Sequence, residues 1–241
     1  MARIGDGLQA LLDGARIEPE VAALRPDYRA MLVVCEGIVP GSSDDRSDAL
    51  LRAAEAFAAD AADRGTVEEL PHIAAWREAY RGFGAKPQRT RSSLEALTRR
   101  APKGLPRINR LADVYNAISV LRQIPFGGED AIAYRGAPRL MRAVGDEGFA
   151  TMAEGAPALE HPEPGEVVWA DDDGVTCRRW NWRQCRRTAL GEGTTSALFI
   201  LDALEPCSDG DLESASDELL EEIGRWSPGL ASGRRLLRAG A

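Results

Sequence analysis

Residues 104–130 read GLPRINRLADVYNAISVLRQIPFGGED, and this stretch decides how the rest of the chain is understood. Asn109, Asp113 and Asn116 stand at offsets of four and three. At about 100° per residue a helix gathers them into a wedge of roughly 60°. Ile108, Leu111, Val114, Tyr115, Ile118 and Leu121 occupy the opposite side, and the helix then breaks into a Pro-Phe-Gly-Gly-Glu-Asp turn. Two readings of the wedge stand side by side. It is the helix's wet face, or it is a set of side chains aimed at particular partners. The second draws on composition, because wet faces favour Glu, Lys and Arg, whereas Asn and Asp compete for the helix's own backbone bonds.

Outward from this helix, the neighbouring segments predict an α+β architecture. Upstream, Ala30 to Val39 is a compact apolar run that reads as a buried strand. Ser47 to Arg64 and Val67 to Arg81 carry helical spacing, the second broken near Pro71. Ser92 and Glu95 have the form of a capping box. Downstream, Ile132 to Tyr134, Arg139 to Val144, Glu166 to Asp171, Val175 to Trp182 and Ala197 to Leu204 are candidate strands, and Asp209 to Trp226 is an acidic amphipathic helix. Helices first, strands later and a closing helix argue against regular βαβ winding. Residues 1–25 are expected as an N-terminal extension, 26–226 as the main domain, and 227–241 as a flexible C-terminal tail.

Composition narrows the function. No apolar run is long enough to cross a membrane. The N-terminus does not read as a secretory signal. Cys35, Cys177, Cys185 and Cys207 form no C-x-x-C pair, so reduced thiols and a cytoplasmic location are expected. His72 and His161 are the only histidines, in neither a zinc pattern nor a nucleophile elbow. No metal or cofactor is expected, and no phosphate-loop glycine motif is present. The net charge is −8, but it is segregated. Residues 76–110 hold ten Arg or Lys, including Lys86, Arg89 and Arg91, against Glu78 and Glu95. Residues 178–187 add five Arg, among them Arg183 and Arg186, and no acid. Such a basic patch on an acidic body is either a solvated face or a surface that steers a polyanion.

The second basic run, RRWNWRQCRR, is the most chemically loaded block. Read as a strand, it sends Trp180, Trp182 and Gln184 to one face and Arg179, Asn181 and Arg183 to the other. Such residues stack on bases and clamp phosphates, or else the tryptophans belong to the core.

Together, Gly104, Ile108, Asn109, Asp113, Val114 and Asn116, the turn from Pro125 to Asp130, and the block from Arg179 to Gln184 resemble the B3/B4 domain of the phenylalanyl-tRNA synthetase β subunit. Freestanding proteins built on that domain are more similar still, and the resemblance runs from about Tyr28 to Leu204. It implies a B3/B4-like fold with mixed β-sheets flanked by helices, a tRNA or aminoacyl-tRNA partner, and hydrolysis of mischarged aminoacyl esters in trans. It further implies that Asn109, Asp113 and Asn116 build the helical wall of a pocket. Gly127, Gly128 and Asp130 would supply a turn closely approached by substrate. Asn181, Arg183 and Lys86 would hold the terminal adenosine or its phosphate, and Arg89, Arg91 and Arg186 of the basic runs are further candidates for holding RNA. Where the synthetase turn carries a histidine two positions after its proline, this chain has Gly127. That departure favours the first alternative, a non-catalytic RNA- or DNA-binding module on the same fold; a small-molecule amino-acid or nucleoside binder using the same pocket is the second. Asp202 and Glu205 are candidates for sensing a substrate hydroxyl.

Overall fold

The computed structural model describes residues 3–240; Met1, Ala2 and Ala241, at the ends of the expected extension and tail, lie outside them. In chain order the elements begin α1 (Asp6–Gly14), β1 (Arg16–Ile17), α2 (Pro19–Leu24), β2 (Arg29–Glu36), α3 (Asp45–Arg64), α4 (Pro71–Gly82), α5 (Ser93–Arg100) and α6 (Arg110–Arg122). They continue β3 (Phe126–Asp130), β4 (Arg139–Arg142), β5 (Phe149–Ala153), β6 (Ala156–Glu160), β7 (Val167–Asp171), β8 (Gly174–Arg178), β9 (Arg183–Gln184), β10 (Ser196–Ala203), α7 (Asp209–Trp226) and β11 (Ala231–Arg238). The architecture is α+β, with a mixed sheet and flanking helices.

A four-stranded antiparallel sheet, ordered β11-β2-β10-β3, forms the centre. Strand parity explains why both of its faces are buried. On β2, Met31, Val33 and Cys35 pack toward α6 and α7, while Ala30, Leu32 and Val34 join a second core with Trp76, Tyr80, Trp169 and Trp180. That second core lies against a five-stranded sheet, β1-β4-β7-β8-β9, in which β1 pairs parallel to β4 and the other strands pair antiparallel. Leu198 and Ile200 of β10 face the second core, and Phe199 and Leu201 face the helices. Asp202, in step with Ile200, is thereby carried to the inter-sheet side.

Three expectations are corrected. The first 25 residues are woven into the core: Leu8, Leu11 and Leu12 of α1 are buried, and β1 is a strand of the second sheet. The C-terminal stretch is not frayed, because β11 pairs with β2 from Ala231↔Glu36 to Arg238↔Arg29. Its arginines tether it. Arg235 donates to the carbonyls of Leu12, Asp13 and Ala15 at the end of α1, and Arg234 bonds Asp217 at 2.6 Å. Ile132 to Tyr134 is not a strand either. Asp130 Oδ1 accepts from Ile132 N at 3.0 Å and folds Ala131–Ala133 into a 3₁₀ turn, leaving Ile132 exposed. A β5–β6 hairpin, unassigned from sequence, forms a separate two-stranded sheet.

Candidate functional site

Between the two sheets lies a cavity of about 270 Å³, just under the roughly 300 Å³ at which ligand pockets usually begin. Strand pairing builds its floor. Because Gly127 pairs with Ile200 and Glu129 with Leu198, both β3 residues face the inter-sheet side. Gly128 pairs with Phe199 and faces the helices. A β carbon at Gly127 would sit 3.0 Å from Gln184 Nε2, and one at Gly128 would meet Leu190 at 2.9 Å and Phe199 at 3.0 Å. The double glycine is thus explained by close packing of other groups over both faces of β3.

The opposite wall comes from the Arg-Trp-Asn-Trp-Arg-Gln block, and here the simple strand reading is corrected. β8 ends at Arg178, and Arg179 and Trp180 take left-handed backbone conformations, with φ of 48° and 68°. Two consecutive non-glycine residues in that region cost about 1–3 kcal/mol each. The strain is held by Trp180 N donating to Val167 O at 2.7 Å and Arg179 N to Glu166 Oε1 at 3.2 Å. Its effect is to send neighbours to different places. Trp180 and Asn181 go inward and are buried, whereas Arg179 and Trp182 stay partly exposed.

The cavity combines apolar walls with polar groups that lack protein partners. Trp180, Tyr115, Ile200 and Leu97 contribute apolar surface. Glu129 is 1% exposed, its Oε2 accepts from the Tyr134 hydroxyl, and its Oε1 has no partner among the described residues. Burial pushes its pKa up to about 7, against the pull of the Tyr134 hydroxyl. Asp202 is also lifted to about 7 by burial, opposed by Tyr28 and Asn181. Tyr28 Oη donates to it at 2.5 Å and Asn181 Nδ2 at 3.2 Å, and Asn181 Oδ1 accepts from Tyr80 at 3.0 Å. Ser93 Oγ and Arg183 Nε, at the same cavity, are likewise unpartnered among the described residues. Cys177 lines the cavity too, but burial holds its thiol protonated, so it offers no thiolate nucleophile. Two buried carboxyl groups poised near neutrality, with no guanidinium on either, can exchange protons with a bound molecule.

The sequence-derived candidates divide. Asn116, Gly127, Asn181 and Arg183 converge on the cavity. Asn109 instead caps α6, accepting from Ala112 N at 2.9 Å. Asp113 is fully buried, accepting from Ile108 N at 2.8 Å and Ser47 Oγ at 3.2 Å, and so ties α6 to α3. The polar wedge is therefore split: Asn109 caps its own helix, Asp113 ties α6 to α3, and Asn116 alone reaches the cavity. Gly128 and Asp130 lie on the far face of β3, Asp130 accepting from Thr194 at 2.9 Å. Lys86 and Arg89 line a neighbouring groove. Arg91 is drawn toward Glu95, 3.6 Å away, and Arg186 packs on Met152. Asp202 is at the cavity, while Glu205 is an exposed partner of Arg29. Glu129, Gln184 and Ser93 were not singled out from the sequence. Glu129 had a signal: on a strand where Gly127 points inward, residue 129 must do so as well.

The family model described as the B3/4 domain matches residues 75–216, which contain every residue that lines the cavity. A similar solved structure is an N-terminal fragment of the phenylalanyl-tRNA synthetase β subunit from Pyrococcus horikoshii. It is 9% identical with a TM-score of 0.43, covering 92% of this chain and 50% of that one. This chain thus spans about half the length of that fragment. No curated protein matches it. Among the described residues no helix is long and apolar enough to cross a membrane, and no cluster of metal-ligating side chains occurs.

Proposed function

This chain belongs to the B3/4 domain family, and from that premise we propose that it binds the aminoacylated end of a tRNA and hydrolyses mischarged esters in trans. The observation that carries the proposal is the unpartnered Oε1 of the buried Glu129, at a cavity also reached by Asn116 and Arg183. An aminoacyl ester is already activated, so positioned water suffices without a covalent intermediate. Glu129, as carboxylate, takes a proton from the attacking water as its oxygen bonds the carbonyl carbon. The Asn116 amide, which has no protein partner among the described residues, is the available donor to the developing oxyanion. The ester C–O bond then breaks, and the ribose oxygen leaves with the proton that Glu129 had taken, which returns Glu129 to its carboxylate form. Trp180 and Ile200 exclude bulk water, and Asp202, braced by Tyr28, supplies a polar point on the wall for a side-chain hydroxyl.

The test is deacylation of a panel of mischarged tRNAs. Amino-acid release by the wild-type protein should fall about 10²–10⁴-fold in Glu129→Gln, the range for loss of a positioned acid–base group. It should fall less in Asn116→Ala. A wild-type protein that releases no amino acid from any member of the panel overturns the hydrolytic reading. Salt-sensitive RNA binding without turnover would then favour a non-catalytic module on the same fold.

A further inference from the structure

Beside the cavity runs a second hollow of about 420 Å³, and Trp182 lines both. Its cationic residues are Lys86, Arg89 and Arg179. Most arginines of this protein are held by a carboxylate, and the exceptions matter because they keep an uncompensated charge at the surface. Lys86 and Arg89 are exposed and, among the described residues, neither side chain has a partner. The adjoining network adds to the surplus. Arg178, Arg179 and Arg183 share only two carboxylates, Glu160 and Glu166. Against this excess stands Glu163, exposed on the groove's rim, so the groove stays net positive. Arg179 is fixed by Thr90 Oγ1 at 2.5 Å and packs 4.5 Å from the centre of the Trp182 ring. Pinned guanidinium, free cations and an aromatic partition shared with the inter-sheet cavity make up a site for an anion whose remainder extends past Trp182.

We propose that this groove is a phosphate site: Lys86 and Arg89 hold a phosphate of the same ligand whose end enters the cavity beyond Trp182. It rests on the functional reading above for the identity of the ligand, a nucleotide-ended strand, but not for the presence of the site. The groove sets which phosphate, counted from the ligand's end, is neutralised. It thereby acts as a ruler between backbone and cavity.

The experiment uses the full chain and a short fluorescein-labelled single-stranded RNA, with adenosine monophosphate, adenosine and inorganic phosphate as competitors. Lys86→Ala/Arg89→Ala should weaken RNA binding at least tenfold at low salt. It should also lower the slope of log affinity against log salt by about 0.7, the contribution of one neutralised phosphate on a single strand. The monophosphate should out-compete adenosine on the wild type and lose that advantage on the variant. Lys86→Glu should weaken binding further than Lys86→Ala, while Lys103→Ala, an exposed lysine outside the groove, should change neither slope nor affinity. Unaltered binding in the double variant, or an equal loss in Lys103→Ala, overturns the phosphate site. Competition by monophosphate without RNA binding supports the site and overturns the tRNA reading instead. Salt-dependent binding lost in the double variant, together with no deacylation by the wild type, supports the groove and overturns only hydrolysis.

Discussion

Glu166 and Glu129 are both sealed from solvent, at 3% and 1% exposure, but their surroundings are opposite. Glu166 accepts from Arg178 Nε and Nη2, each at 2.9 Å, and from Arg179 N at 3.2 Å. Its charge is matched, and with it the left-handed turn at Arg179 and Trp180 is locked. Glu129 has a tyrosine hydroxyl on one oxygen and nothing on the other among the described residues. Asp202 resembles it, braced by a tyrosine and an asparagine with no guanidinium. Burial of a carboxyl group therefore serves two ends in one molecule. Where an arginine arrives with it, the acid is structural; where only neutral donors arrive, the acid is left able to gain and lose a proton.

The sharpest way to break this contrast is to remove each acid in turn. Glu166→Ala leaves Arg178 buried with only Glu160 to share, and should destabilise the protein by about 3–5 kcal/mol in chemical denaturation, the cost of orphaning a buried ion-pair partner. Glu129→Gln should cost under about 1 kcal/mol at pH 8, because it removes a charge that burial already disfavours. Comparable losses in the two variants would dissolve the distinction.

A pH series sharpens it. The folded-state values of Glu129 and Asp202, about 7, lie above their ordinary ones. Their stabilising contribution is full below about pH 4 and is lost as pH rises through 7. His72 works the other way: burial lowers it to about 4, so its contribution is lost as pH falls from 6.5 toward 4. Wild-type minus Glu129→Gln stability isolates the carboxyl group. That difference should decline by on the order of 3 kcal/mol between pH 4 and pH 8. A flat difference would mean Glu129 is as well compensated as Glu166.

The smallest effect distinguishes the two faces of β3. Gly128→Ala drives a methyl group against Leu190, Phe199 and Tyr115 and should cost about 1–3 kcal/mol. Gly127→Ala meets only the end of Gln184, which can swing aside at the expense of its 3.0 Å bond to Gly128 O, so about 1 kcal/mol is expected. Equal thermal shifts in the two would count against the facing assigned to β3.

Much of this was legible from the chain alone. The bounds of α7, the break at Pro71 and the buried β2 all follow from periodicity and turn chemistry. Half of the expected capping box holds: Ser92 Oγ accepts from Glu95 N at 3.2 Å, but the Glu95 carboxylate goes to Arg77 and Arg99. What stayed hidden is what depends on partners distant in the chain. Asp113 was assigned to a pocket wall because its partner Ser47 lies 66 residues away, and β11 looked frayed because its arginines meet α1 and α7 only after folding. The turn at Arg179 was illegible for a different reason. Neither Arg nor Trp announces a left-handed backbone, so alternation assigned Trp180 and Asn181 to opposite faces when both are buried.

That kink has a practical corollary for anyone retuning what the pocket accepts. It couples interior to exterior within four residues, so a change at Trp180 or Asn181 also disturbs Arg179 and Trp182 at the groove. A mutant library that aims to alter ligand choice while preserving strand capture belongs at Leu97, Tyr115 and Ile200, whose neighbours in the chain take no part in the groove.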